Sequence, residues 1–90
     1  MALLDLLGRR WALRLVWELR GDALTFRDLQ HRCEAMSASV LRDRLRELRT
    51  ADIVEASAHG YQLTAEGRLL LDAYEPLRAW ARRWNKRMES

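Results

Sequence analysis

The sequence predicts a mainly α fold with one small β-hairpin (α+β), in the order helix, helix, helix, hairpin, long helix. Three observations carry that expectation. Apolar residues recur with a helical period in residues 9–20, 37–50 and 65–88. Two short β-prone runs stand next to each other before the last of these stretches. Thr25, Ser37 and Thr64 each occupy the place where a helix needs an N-cap. Ninety residues make a single domain, 1–90. With 49% hydrophobic and 32% charged residues, four Gly and one Pro, the composition is that of a folding chain, not a disordered one.

Residues 2–7 (ALLDLL) form a short apolar turn that Gly8 ends or kinks. In 9–20, Trp11, Ala12, Leu15, Val16 and Leu19 fall within about 140° of arc at 100° per residue. Leu13 and Trp17 form a second apolar flank, and Gly21-Asp22 stops the helix. Thr25 with Asp28 three residues on resembles a capping box, opening a short helix over 26–32. After a turn at 33–36, Ser37 caps a helix running to about Thr50, with Leu41, Leu45 and Leu48 as its buried stripe. Ile53–Ala56 and Gly60–Leu63, joined by Ser57-Ala58-His59, read as a hairpin, a wing over about 53–63. Thr64 caps a last helix from Ala65 towards Met88, with Pro76 as a point for a kink. Along it Leu70, Tyr74, Leu77, Ala81, Trp84 and Met88 make a 3.5-residue seam. Two short helices with a tight turn, followed by a hairpin, describe a winged helix-turn-helix.

Several classes of protein are excluded. The one cysteine, Cys33, cannot form an intramolecular disulfide, which points to a reducing, cytoplasmic setting. No apolar run approaches the ~20 residues of a membrane helix, and residues 2–7 lack the flanks of a signal peptide. No phosphate-cradling Gly loop is present, and Asp5, Asp22 and His59 supply no nucleophile–base set. His31 and Cys33 lack the further ligands of a zinc site. Neither an enzyme, a metal nor a cofactor is expected, and Cys33 reads as an inert thiol.

The residues Leu7-Gly8-Arg9-Arg10-Trp11, Leu15, Leu19 and Thr25-Phe26-Arg27-Asp28-Leu29 resemble the HxlR-type bacterial transcription regulators, a MarR-like group. So do Ser37, Leu41, Arg44-Leu45-Arg46-Glu47-Leu48 and Tyr61-Gln62-Leu63-Thr64-Ala65-Glu66-Gly67. The resemblance spans roughly residues 3 to 84. It implies a dimeric winged helix-turn-helix DNA-binding protein whose helix 37–50 enters the major groove. The sequence departs from the family at three places. No cysteine precedes the Leu-Gly-x-x-Trp motif, where many members carry a regulatory one. Residues 50–67 hold no Lys or Arg, and Glu55 stands where Arg is common. Asp52 replaces the Gly that usually ends the recognition helix, a position where Asp tolerates a left-handed backbone.

The net charge of +3 is unevenly spread. Residues 37–50 hold four Arg against two acids, and 78–87 hold five basic residues and no acid. With the leucine stripe inward, Ser39, Asp43, Arg46 and Thr50 face outward, and Arg42, Arg46 and Arg49 line one flank. Arg42 and Arg46 are candidates for guanine, Asp43 for cytosine N4, and Ser39 lies in the first turn, where such helices meet base edges. Thr25 and Ser37 at two helix starts, with Arg27, Arg44 and Arg49, are candidates for phosphate. Read alone, the same charges also fit a solvated face on which Asp43 and Glu47 neutralise Arg42 and Arg46. The basic end of the last helix suits a helix C-terminus, with a contact to DNA backbone as the alternative.

The apolar residues exceed what one small core can use. Leu3, Leu6, Leu13, Trp17, Leu77, Trp80 and Trp84 are the surplus, so the first and last helices (about 2–20 and 65–88) are expected to form a homodimer interface. The leading expectation is a regulator that reads a near-palindromic operator as a homodimer. The rival is a winged-helix protein-interaction module whose acidic wing has weakened or abolished DNA binding. An unidentified small-molecule effector has room between the first and last helices.

Overall fold

Each cap expected from the sequence is made in the structure, a computed structural model that describes residues 2–89. The Thr25 hydroxyl accepts from the Asp28 amide and the Asp28 carboxylate accepts from the Thr25 amide, completing the box that opens α3 (Phe26–Arg32). Ser37 Oγ accepts from the Val40 amide at the start of α4 (Ala38–Thr50). Thr64 Oγ1 accepts from the Gly67 amide at the start of α5 (Ala65–Glu89). Before these come α1 (Ala2–Leu7) and α2 (Ala12–Glu18). The antiparallel hairpin of β1 (Val54–Ser57) and β2 (Gly60–Leu63) lies between α4 and α5, with Val54 opposite Leu63 and Ser57 opposite Gly60. This is a winged helix-turn-helix, with α3 and α4 as the helix pair and β1–β2 as the wing.

Leu41, Leu45 and Leu48 all point inward. They meet Leu15, Val16 and Leu19 of the α2 segment, Leu29 of α3, Ile53, Val54 and Leu63 of the wing and Leu71 of α5. Burying a leucine contributes about 1.5–3 kcal/mol, so this cluster fixes which face of α4 is left outside.

Three local features depart from the expectations. The helix expected over 9–20 is shorter, Ala12–Glu18, because Trp11 takes a left-handed backbone (φ 79°) and residues 8–11 form a turn. Trp11 consequently sits half-buried at the edge of the core, not in the stripe with Ala12 and Leu15. The first strand starts at Val54, one residue late. Ile53 is buried before it, and the Ile53 carbonyl accepts from the Thr64 amide. Leu24 adds a short bridge to Tyr61, with hydrogen bonds in both directions, which ties the turn before α3 to the wing.

Two glycines and one aspartate allow close approaches. A Cβ on Gly60 (φ 119°) would lie 2.4 Å from the Leu24 carbonyl oxygen, so the Leu24–Tyr61 bridge needs glycine there. A Cβ on Gly67 would lie 2.2 Å from the Ile53 carbonyl oxygen, so α5 seats on the wing only through a bare Cα. Asp52 turns the chain out of α4 with φ 62°, the left-handed conformation expected for it.

Only Gly67 and Leu71 of α5 are buried. Twenty-five residues make a rod of about 37 Å, and the molecule is accordingly elongated, 45 × 26 × 25 Å. Pro76 lies within α5, and the helix continues on both sides of it.

Candidate nucleic-acid interface

With its leucines held in the core, α4 presents Ser39, Arg42, Arg46, Arg49 and Thr50 to solvent. Its 13 residues span about 20 Å, a length that fits along a major groove. Arg42, Arg46 and Arg49 border an open groove of about 720 Å³, walled by Phe26 of α3 and Tyr61 of β2 and floored by Leu45. Arg42 lies over the Phe26 ring, 6.0 Å from its centroid, and makes no ion pair among the described residues. Arg49 likewise has no carboxylate partner there. Arg46 is paired with Asp43 at 3.2 Å, but both are well exposed and water screens the pair. The expected neutralisation of this flank is therefore confined to one of its three arginines. Glu47 is turned away, held by Arg44 and by Arg9 at 3.3 Å.

Arg44, a phosphate candidate from the sequence, is engaged within the fold. Its Nε donates to the Arg10 carbonyl at 3.0 Å, its other nitrogen pairs with Glu47, and its side chain is only 17% exposed. It fastens α4 to the turn before α2 and is not part of the arginine flank. Two residues per step turn a helix by 200°, which puts Arg44 and Arg46 on opposite sides.

At the two helix starts, the Ser37 and Ser39 hydroxyls are 3.3 Å apart, so both sit at the first turn of α4. Thr25 is engaged differently. Its amide donates to the Asp28 carboxylate, which holds that carboxyl's pKa below its ordinary value, and its hydroxyl accepts from the Asp28 amide. A carboxylate thus already occupies that helix start, which opposes a phosphate at Thr25. Arg27, two residues beyond Thr25, is exposed and unpaired among the described residues.

The wing presents acid, not base. Glu55 is exposed on β1 and accepts from Gln62 Nε2 at 2.7 Å. Ser57 Oγ donates to the Gly60 carbonyl and accepts from the His59 amide, which closes the turn. Phe26 and Tyr61 were not among the expected site residues. Their part in the groove depends on contacts between residues far apart in the chain, for which the sequence carries no periodic signal.

The residues expected at a dimer interface divide into two groups. Leu3, Leu77, Trp80 and Trp84 are exposed, with Trp80 at 51% and Trp84 at 47%, and these two rings stack with centroids 6.4 Å apart. Leu6 and Leu13 are half-buried, and Trp17 packs on the core with arginine guanidinium groups over its ring. The apolar cleft formed by α1 runs against the end of α4, lined by Leu3, Leu6 and Ala51, and not against α5, where room for a small molecule was expected. Among the described residues no helix is long and apolar enough to cross a membrane, and no acid, His or Cys cluster is placed to hold a metal. Cys33 is buried beneath α3, and that burial raises its pKa.

A family model described as HxlR-like helix-turn-helix matches residues 6–89. The uncharacterized HTH-type transcriptional regulator YvaP of Bacillus subtilis (strain 168) is 26% identical over 87 residues, covering 89% of this chain and 81% of YvaP. The quinone-bound structure of YodB from B. subtilis is 29% identical, with a TM-score of 0.84 over 91% of this chain and 93% of that one. A possible HxlR family transcriptional factor from Thermoplasma volcanium shares the fold, with a TM-score of 0.83 at 22% identity over 92% and 81% of the two chains. With the family match running through the helix pair, the wing and α5, this chain belongs to the HxlR-like helix-turn-helix family of transcription regulators.

Proposed function

We propose that the chain is a sequence-specific DNA-binding regulator that acts as a homodimer on a near-palindromic operator, with α4 in the major groove. The observation that carries this reading is the exposed flank of Arg42, Arg46 and Arg49, of which, among the described residues, only Arg46 has a carboxylate beside it. Arginine can bridge guanine O6 and N7, so Arg42 and Arg46 read bases, with Ser39 and Asp43 beside them. Arg49, Arg27 and the α4 start at Ser37 hold phosphate. Homodimerisation buries Leu3, Leu77, Trp80 and Trp84, an apolar surface that water-facing monomers rarely carry. Two α4 helices related by a two-fold axis then meet successive turns of the duplex, ~34 Å apart. Arg82, Arg83, Lys86 and Arg87 complement the C-terminal end of α5.

One specific observation favours a second reading, a protein-interaction module. The wing holds Glu55 and no Lys or Arg, so it repels phosphate. The two readings are separated by selecting binders from a pool of random duplexes at 150 mM salt and titrating them by fluorescence anisotropy. The regulator reading expects an enriched, near-palindromic sequence. Equal binding to a scrambled duplex refutes it.

A small-molecule effector forms part of the proposal, because a relative with nearly the same fold, YodB, has been solved with a quinone bound. In this chain the buried Cys33 thiol is poorly placed to react with one.

A further inference from the structure

The way α5 leaves the body has a built-in weak point and a tether beyond it. Gly67 and Leu71 seat the first turns of α5 on the wing and core. Arg68 adds hydrogen bonds to the Arg20 and Gly21 carbonyls at the end of α2. Pro76 then removes one backbone donor, so the Asp72 carbonyl loses its helical partner and the helix bends more easily there. Two residues beyond the proline, the Arg78 guanidinium lies over the Trp17 ring, 3.5 Å from its centroid. Arg20 lies over the same ring at 4.1 Å, and its Nη1 donates to the Trp17 carbonyl. Two guanidinium groups this close to one centroid would collide on a shared face, so the indole is sandwiched between them. Both separations are well inside the ~6 Å limit for a cation–π contact. Past Arg78 the large apolar side chains of α5, Trp80, Trp84 and Met88, are exposed, so the structure provides no comparable apolar anchor there.

We propose that the Arg20–Trp17–Arg78 stack is a clamp across the Pro76 joint that sets the direction of the distal half of α5. Through the dimer, that direction sets the distance and rotation between the two α4 helices. Arg78 and Trp17 are then positioning residues for operator spacing, without touching DNA. The second half of this proposal rests on the homodimeric DNA-binding reading above; the first half does not.

Two experiments separate the halves. In a Cys33→Ala chain, spin labels are placed at Glu34→Cys on the body and Arg87→Cys on distal α5, and the labelled chain is diluted into unlabelled chain. Electron-spin distance measurement is expected to give one narrow peak. Arg78→Ala broadens it, Arg78→Lys keeps most of its sharpness, and Pro76→Ala in the Arg78→Ala background narrows it again by restoring the helical hydrogen bond. An unchanged peak in Arg78→Ala, with helix content preserved, overturns the clamp.

The second experiment uses duplexes selected by the unmodified chain, with one base pair inserted between half-sites. The insertion rotates them by about 35° and separates them by ~3.4 Å. The native chain is expected to lose about tenfold in affinity, while Arg78→Ala, still dimeric by sedimentation, loses less than about threefold. Equal discrimination by both overturns the link to spacing. A broadened peak together with no selected duplex upholds the clamp and refutes the DNA-binding reading instead.

Discussion

Replacing Arg46 by alanine removes a guanidinium whose side chain is 68% exposed and whose ion-pair partner, Asp43, is itself half in water. Such a pair contributes about 0–1 kcal/mol to folding, so the variant is expected to melt within a few degrees of the native chain. If Arg46 reads a guanine, the loss appears in DNA binding instead. A bidentate contact is worth about 1–3 kcal/mol, or about 5- to 150-fold in Kd, confined to one base position per half-site. Replacing Arg44 reverses the pattern. That side chain is 17% exposed, donates to the Arg10 carbonyl and pairs with Glu47, which Arg9 alone would then hold. Discounting for the solvent that still reaches both groups, the cost to folding is about 1–2 kcal/mol, or about 5–15 °C in Tm for a domain this size. Thermal melts followed by circular dichroism, and anisotropy titrations at a temperature where both variants are fully folded, measure the two effects separately. The placement of α4 is refuted if Arg44→Ala weakens binding to the selected duplex as much as Arg46→Ala does, at equal folded fraction.

Further outcomes follow from the same geometry. Gly67→Ala gains about 1 kcal/mol of helix propensity but drives a Cβ to 2.2 Å from the Ile53 carbonyl oxygen; urea denaturation should show a net loss of about 2 kcal/mol or more, and equal stability would mean that α5 does not seat on Ile53. Thr25→Ala removes the α3 cap and costs about 1 kcal/mol by the same measurement. Because the Asp28 pKa is lowered in the folded chain, its contribution to stability is fully present above the ordinary carboxylate range. It is lost as pH falls through the lowered value, so acid unfolding of native chain and Asp28→Asn should begin to converge only as pH drops below about 4. Trp84→Asp places a charge on the exposed face of α5 and should shift sedimentation from dimer to monomer at micromolar concentration; an unchanged dimer would exclude that face as the interface. Glu55→Arg on the wing should steepen the salt dependence of DNA binding by about one unit of log K per log salt; an unchanged slope would show that the wing lies away from phosphate.

The helix pair, the wing and the last helix were legible because each is specified locally. Thr25, Ser37 and Thr64 satisfy amides three residues on, and the Leu41/Leu45/Leu48 stripe follows from helix period alone. Asp52 was legible through the family resemblance, because it stands where Gly usually ends the helix and Asp tolerates the left-handed backbone it adopts. The short α2 was not legible. The hydrophobic period runs unbroken through Trp11, and only packing of the turn at 8–11 against α4, through Arg44 and the Arg10 carbonyl, selects the later start.

The site divides in the same way. Arg42, Arg46 and Arg49 were assigned to one flank from their spacing, and they line one groove. Arg44 was a phosphate candidate by charge alone, and the folded chain turns it to the Arg10 carbonyl and Glu47. Phe26 and Tyr61, which wall the groove, come from α3 and the wing, and no local pattern joins them to α4.

By itself the sequence determined the order of elements, their caps, the inward face of α4 and the uneven charge that leaves an arginine flank beside an acid wing. Hydrogen-bond capping and hydrophobic period act within a few residues, so those features can be read from neighbours in the chain. Only the tertiary structure decided which arginines stay in water, which one fastens α4 to the body, and that Trp17 lies between Arg20 and Arg78 instead of on an open face. These outcomes depend on which distant carbonyl, carboxylate or ring comes within reach when the helices pack, and that proximity exists only in the folded chain.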